Sequence, residues 1–316
     1  MNDNYPKVSV LLSVYNGQDF LKETIESVLN QTYKNFEFII INDASTDDSK
    51  KILLDYKKKD NRIILIHNEY NIGLTKSLIK GLKLAKGEFI ARQDSGDVSH
   101  PERLAKQVKI LNENPHISLV GTHCEVVDER GKVFAKKEYP NNMEIFRKML
   151  TQGQNPFAHG AVMFIKKHVQ QIGGYNDRIF YAQDFELWSR MIKKFKFYII
   201  EEPLYQLRCL PEIEPLKFVY QRFYGHYIPQ HCLDVYPLSP PENIKDTPLF
   251  KELYSEIPSN FSSIYYLWIA HGNILKSPLY ALQSIYRSFK VASGWAGKWG
   301  VAIQFLKFCR KRIEIF

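Results

Sequence analysis

"VSVLLSVYNGQDFLKETIESVLNQTYKNFEFIIINDASTDDS", residues 8–49, decides the fold. Residues 8–15 form a short apolar run, the pattern of a strand buried on both faces. The period then changes: Phe20, Leu21, Ile25, Val28 and Leu29 recur at helical spacing and mark one face of a helix within 19–33. Residues 36–43 return to strand, and the Ser, Thr and Asp residues that follow supply cap-type side chains for a second helix.

Outward from this unit the pair repeats. "IILIHN" and "GLTKSLIKGLKLAKG" are the next strand and helix, and "EFIARQD" is a fourth strand. It is followed by the helix "HPERLAKQVKILNENP", with Pro101 in its first turn and Pro115 beyond its end. Strands alternating with helices predict an α/β fold: a Rossmann-like, mostly parallel sheet flanked by helices. Ligands bind such sheets beyond the carboxyl ends of the strands. That rule gathers Tyr15, Asn16, Asn42, Asp43 and Asp94 to Asp97 on one rim.

From 116 to 208 the pattern is mixed, with strands expected in "SLVGTHCEVVD", "HGAVMFIKK" and "FYIIEEPLYQLR" and a helix in "QDFELWSRMIKKF". After Cys209 the alternation stops and Pro, Tyr and Phe become frequent among helical stretches. The expected organisation is a catalytic domain over 1–210 and a mainly helical C-terminal extension over 211–316.

Composition sets bounds. The chain has 316 residues, 45% hydrophobic and 24% charged, which is globular and not disordered. A net charge of +9 suits phosphates, anionic lipid or nucleic acid without choosing among them. Cys124, Cys209, Cys232 and Cys309 lie far apart with no CxxC spacing, so neither a zinc site nor a disulfide framework is indicated and a reducing compartment is expected. The N-terminus lacks the pattern of a signal peptide, and no run reaches the roughly 18 apolar residues of a spanning helix. A cytoplasmic location, peripheral on the inner face of the cell membrane, is the expectation.

The rim carries the candidate chemistry. Asp43 ends the second strand, where it can accept hydrogen bonds from a base or ribose or simply close the strand. Asp94, Ser95, Gly96 and Asp97 end the fourth; carboxylates there suit magnesium or manganese held jointly with a diphosphate, and equally suit an ordinary polar turn. Asp184, in the first turn of a helix anchored by Phe185, Leu187, Trp188 and Met191, is a candidate general base or a charge favoured by the helix dipole. Arg190 and Arg208 are candidate phosphate contacts or partners of nearby acids, and His159 in "NPFAHGAVMF" is a candidate acceptor-side residue. GxGxxG after a strand and GxxxxGK[ST] are both missing, which removes the main support for dinucleotide and P-loop readings.

Assembled, these pieces resemble the family-2 glycosyltransferases, inverting enzymes of the GT-A fold that use nucleotide sugars. The likeness covers roughly residues 7–208. It rests on "VSVLLSVYNG", "FEFIIINDASTDDS", "NIGLTKSLIKGLKLAKGEFIARQDSGD" with "PERL", and "GGYN" leading to "AQDFELWSR". The resemblance implies that Val14, Tyr15 and Asn16 border the nucleotide and that Asp43 contacts the base, uracil first among the candidates. It also implies that Asp94, Ser95 and Asp97 fall in the metal-binding DxD region, and that Asp184 deprotonates the acceptor hydroxyl. Two positions depart from the family: Asn42 replaces an acid, and Gly96 stands where the second DxD acid belongs. A lost carboxylate removes an attraction of about 4 kcal/mol at about 4 Å in a partly screened site, so Mn2+ or Mg2+ dependence is weakened.

The expected partners are a nucleotide sugar and a glycan or lipid-linked acceptor, for surface polysaccharide or glycolipid. Residues 276–316 hold eight Lys or Arg against one acid, interleaved with Trp295, Trp299, Phe305 and Phe308. Such a segment either lies on an anionic membrane surface or packs its aromatics on the protein. No nucleic-acid reading motif accompanies the charge, so nucleic acid is not an expected partner. The competing reading is a catalytically silent protein that binds nucleotide sugar through a degenerate DxD motif and acts as partner or regulator.

Overall fold

The computed structural model describes residues 7–209, 221, 223–225, 227–229, 244–249 and 251. The basic segment 276–316 lies outside the described residues. Among the described residues the chain forms two compact units: one takes those within 1–124, 138–207 and 221–242, the other those within 125–137, 208–220 and 243–316.

The first unit is built on four parallel strands, β1 (Val8–Val14), β2 (Phe36–Asn42), β3 (Ile63–His67) and β4 (Phe89–Asp94), in the spatial order β3-β2-β1-β4. Every residue of β2 is buried, as both faces of a helix-covered sheet require. The register aligns the strand ends: Val14 pairs with Asn42, Asn42 with His67, and Ser13 with Asp94. Chain order reverses at β1, which has β2 on one side and β4 on the other, so the crevice beyond their carboxyl ends is the expected ligand position.

The helices α1 (Leu21–Leu29), α2 (Ser49–Lys59), α3 (Leu74–Leu84) and α4 (Arg103–Glu113) connect and flank these strands. In α1 the buried residues are Leu21, Thr24, Ile25 and Val28, one stripe at helical spacing that joins the core of Val10, Leu12, Phe38, Ile40 and Ala91. At α4 the sequence places Pro101 in the first turn, whereas the helix begins at Arg103 with Glu102 as its cap.

Beyond β4 the sheet turns antiparallel. β8 (Met163–Ile165) pairs antiparallel with both β4 and β6 (Ile117–Val127), and β9 (Lys196–Arg208) continues the sheet to the two-residue β5 (Val98–Ser99). The long strand expected over "HGAVMFIKK" reduces to three residues. His159–Ala161 is a 3-10 turn whose Gly160 carbonyl is taken by Arg103 (2.8 Å), and the helix α6 (Lys166–Gln171) begins directly after β8. Sequence periodicity also missed α5 (Met143–Thr151) and β7 (Val133–Lys137). β7 contributes to the small core of the second unit, which comprises Val126, Phe134, Ala135 and Cys209.

The helix that carries Asp184, α7 (Gln183–Met191), is anchored by rings. Trp188 is fully buried, with its ring centroid 5.6 Å from Phe157, and Phe157 lies 6.0 Å from Phe146 and 5.7 Å from Phe197. Each such pair contributes about 1 kcal/mol beyond the area it buries. Gly153, at φ +72°, abuts the backbone of Gly225; a Cβ on Gly153 would stand 2.3 Å from the Gly225 carbonyl oxygen. The described residues between 221 and 229 are helical and belong to the first unit.

Candidate active site

The loops after β1 and β2 are sewn together. The Asn16 side-chain oxygen accepts from the Thr46 amide (2.8 Å), the Asn16 amide donates to the Ser45 hydroxyl (3.1 Å), and the Gly17 amide donates to the Ser49 hydroxyl (2.9 Å). Asn16 therefore orders the rim with its side chain while Tyr15 stands 52% exposed beside it and Val14 is buried beneath. Asp43 is buried as well. Its Oδ1 accepts from Asn68 Nδ2 (2.8 Å) and the Ile72 amide (2.9 Å), and its Oδ2 from the Gly73 amide (2.9 Å), which ties the loop before α3 to the end of β2. Asn42, in place of the family's acid, accepts from the Ser45 amide (3.1 Å) and reaches His67 Nδ1 (3.2 Å).

The turn at 94–97 is fixed from below. Thr24 of α1 donates to the Asp97 carbonyl (2.9 Å) and accepts from the Gly96 amide (3.0 Å), and Gln93 Nε2 also donates to the Asp97 carbonyl (3.0 Å). Strand alternation puts Arg92 on the same face as Asp94. The fully buried Arg92 donates through Nη2 to Asp94 Oδ1 (2.6 Å), through Nη1 to the Leu11 carbonyl (2.5 Å), and through Nε to His159 Nε2 (3.2 Å). His159 is buried, and burial followed by the Arg92 charge holds it well below the ordinary histidine pKa. It is thus a neutral acceptor with its proton on Nδ1, reached also by the Tyr175 hydroxyl (2.8 Å).

"PERL" acquires a task here. Arg103, fully buried, donates to the carbonyls of Arg92 (3.0 Å) and Gly160 (2.8 Å) and faces the Tyr205 ring at 5.2 Å. Burial lowers its pKa to about 10, so it remains cationic at neutral pH. The Tyr205 hydroxyl accepts from the Asp94 amide (3.0 Å), and a Cβ on Gly160 would come within 2.2 Å of that hydroxyl and 2.9 Å of Asp94 Oδ2. Only glycine fits between them.

Asp184 joins the same constellation. Its Oδ2 accepts from Asn155 Nδ2 (2.5 Å). Burial raises its pKa above the ordinary carboxylate value, the hydrogen bonds of the Phe185 amide and Asn155 oppose that rise, and the charge of Asp94 adds to it. Tyr175, whose pKa burial drives upward, feels the charges of Arg92, Asp184 and Asp94 together. The structure thus brings Asp184 to the side of the sheet that holds Asp94. Asn16, Ala44 and Ala182 are the three non-glycine residues at positive φ among the described residues, and each flanks this rim.

Arg190 is the departure among the expected contacts. Its guanidinium is spent on Glu186 (2.7 Å, both side chains buried) and on the carbonyls of Ile172 (2.5 Å) and Gly174 (2.7 Å), where it braces the "GGYN" turn. Arg208 likewise donates to the Asp128 carbonyl (2.8 Å) in the second unit. Among the described residues no three His, Cys, Asp or Glu side chains converge as a metal cage.

Residues 9–173 match the family described as Glycosyl transferase family 2. The chain belongs to this family. It is 40% identical over 207 residues to the "Putative glycosyltransferase EpsE" of Bacillus subtilis (strain 168), covering 64% of this chain and 73% of that one. It is 34% identical over 189 residues to the "O-antigen biosynthesis glycosyltransferase WbnJ" of Escherichia coli, covering 59% and 72%. Its fold is that of the Staphylococcus aureus protein TarS 1-349 in complex with UDP, with a TM-score of 0.56 at 17% identity over 90% of this chain and 89% of the other. The family-2 glycosyltransferase therefore has the GT-A architecture and is an enzyme.

Proposed function

We propose that this family-2 glycosyltransferase moves a sugar from a nucleoside diphosphate, UDP first among the candidates, to a hydroxyl of a glycan or lipid-linked acceptor with inversion. The supporting observation is that burial raises the pKa of Asp184 and the charge of Asp94, the residue that ends β4, adds to the rise. Asp184 accepts the proton of the acceptor hydroxyl; that oxygen attacks the anomeric carbon as the bond to the diphosphate oxygen breaks and its electron pair leaves with the nucleotide. Attack opposite the leaving group inverts the anomeric centre. The state between is oxocarbenium-like and anionic on the diphosphate, so charge must be stabilised there as it develops.

Tyr15 borders the nucleotide, with Val14 and Asn16 shaping its edge, and the remaining lone pair of Asp43 Oδ2 faces the base. Asp94 and Ser95 face the diphosphate. For a divalent ion the residues offer Asp94 Oδ2, since Oδ1 is held by Arg92, together with Asp97, while Gly96 contributes no side chain and has nothing within 4 Å of where its Cβ would stand. This donor set fits Mn2+ or Mg2+ held mainly by the diphosphate. Bound there, the ion would offset charge on the leaving group. The context is surface polysaccharide or glycolipid synthesis, on the similarity to WbnJ.

The test screens nucleotide sugars by thermal shift, then measures nucleoside diphosphate release with and without Mn2+ in wild type and Asp184→Asn. Turnover abolished by the substitution upholds the transferase; tight donor binding with no wild-type turnover upholds the silent binding module. The membrane reading rests on segment 276–316, and among the described residues no helix is long and apolar enough to cross a membrane. Equal liposome flotation of the full chain and of a form ending near 275 removes it.

A further inference from the structure

The motif "NPFAHG", residues 155–160, touches both reacting ends of the site. At its start Asn155 Nδ2 donates to Asp184 Oδ2 at 2.5 Å. Near its end His159 Nε2 accepts from Arg92 Nε at 3.2 Å, and the same guanidinium grips Asp94 Oδ1 at 2.6 Å. Between them Phe157, 2% exposed, packs on the Trp188 ring at 5.6 Å, one turn beyond Asp184 on α7. Arg103 fastens the Gly160 carbonyl at 2.8 Å. One buried segment thus carries the contacts that orient two aspartates far apart in sequence.

Asn155 shows a second sign of purpose. Its Oδ1 is buried without a hydrogen-bond partner. A carboxylate only accepts, so the amide NH2 must face Asp184, and the carbonyl end is left unsatisfied in consequence. A buried orphan acceptor is unfavourable, and an asparagine kept only for the stability of its loop would not require one.

Resting on the reading of Asp184 as base, we propose that residues 155–160 form a spacer that sets the base against the donor-side aspartate, with Asn155 the positioning residue of Asp184. By holding Oδ2, Asn155 fixes the orientation of the carboxylate that is to take the acceptor's proton. Its hydrogen bond also favours the ionised carboxylate, against burial and the charge of Asp94. The groups that act on Asp184 from the surrounding elements are Asp94 of β4, the Tyr175 hydroxyl, Asn155 and the Phe185 amide.

The experiment uses the full-length chain labelled with carbon-13 at aspartate carboxyls, kept in EDTA. The Asp184 signal is identified by its loss in D184N and titrated in wild type, N155A, N155S and N155D. In parallel, nucleoside diphosphate release is followed across pH with the nucleotide sugar that gives the largest thermal shift. The expected result is an upward move of both the Asp184 midpoint and the acid limb of turnover, by about half a pH unit in N155A and more than about one unit in N155D, where a second carboxylate faces the first. Turnover at the optimum should fall about tenfold in N155A, with donor KM within about twofold of wild type and partial recovery in N155S, which keeps a short donor. Folded N155S and N155D proteins that titrate and turn over like wild type overturn the proposal. If D184N itself retains turnover, the base reading fails and the proposal falls with it; if D184N is inactive while the Asn155 variants keep the wild-type profile, the spacer alone is refuted.

Discussion

Asp43, just after β2, and Asp184, in the first turn of α7, have surroundings that ask different things of a carboxylate. Asp43 accepts three hydrogen bonds, two of them from backbone amides of the loop before α3, and is all but closed to solvent. Asp184 is half-buried beside the charge of Asp94 and has one side-chain donor, Asn155. The first arrangement commits most of the carboxylate's acceptor capacity to holding a loop. The second, through burial and the charge of Asp94, makes ionisation costly, as a group suited to proton transfer requires.

Substitutions break the contrast in order of size. Asp184→Asn should lower turnover by about a thousandfold, or about 4 kcal/mol of barrier, with donor affinity retained. The pH dependence follows from the raised pKa of Asp184. Turnover should rise with pH through the folded-state value, because only the ionised form accepts a proton. Stability runs the other way: between the unfolded and folded values the native state binds more protons, so the Asp184 contribution falls as pH rises. Above that window Asp184→Asn should melt higher than wild type, and a lower melting temperature would count against the assigned strain.

Arg92→Met should cost about 3 kcal/mol in urea unfolding, because it removes a fully buried cation from Asp94, His159 and the Leu11 carbonyl. Arg92→Lys should recover only part of this, since an ammonium cannot reproduce the fork. Asp43→Ala should cost about 2 kcal/mol of stability by freeing the 68–73 loop, the reverse of the Asp184 result. The smallest effect is expected from Gly96→Asp. Open space surrounds the missing Cβ, but φ is +96°. Calorimetry should find Mn2+ bound about tenfold more tightly in the presence of nucleoside diphosphate, at a stability cost of about 1 kcal/mol.

Much of the parallel half was legible because both faces of its strands are buried: β1 and β2 appear as short, mostly apolar runs, and the polar residues that follow them, with those that end β4, form the rim. That Asp184 stands in the first turn of a helix was legible from the amphipathic spacing that follows it. The connections between rim groups were not. Arg92 carried a readable signal, a charge inside the strand "FIARQD" two residues before Asp94, since a buried charge needs a partner on its own face. Asn155 carried none: its partner is 29 residues away and the approach depends on how Phe157 and Trp188 pack. Arg190 offered a phosphate contact or a pairing with nearby acids, and helical spacing, which places it four residues from Glu186, settled it on the acid.

The bare crossing of Gly153 and Gly225 ties two stretches of chain at backbone distance, two residues upstream of Asn155. A side chain on Gly153 would force the other stretch away, and one on Gly225, 3.1 Å from the Gly153 carbonyl oxygen, would press on it. Across related sequences the two glycines should be inherited as a couple, kept jointly or lost jointly, so that a relative retaining only one would mark a lineage that has repacked the stretch leading to Asn155.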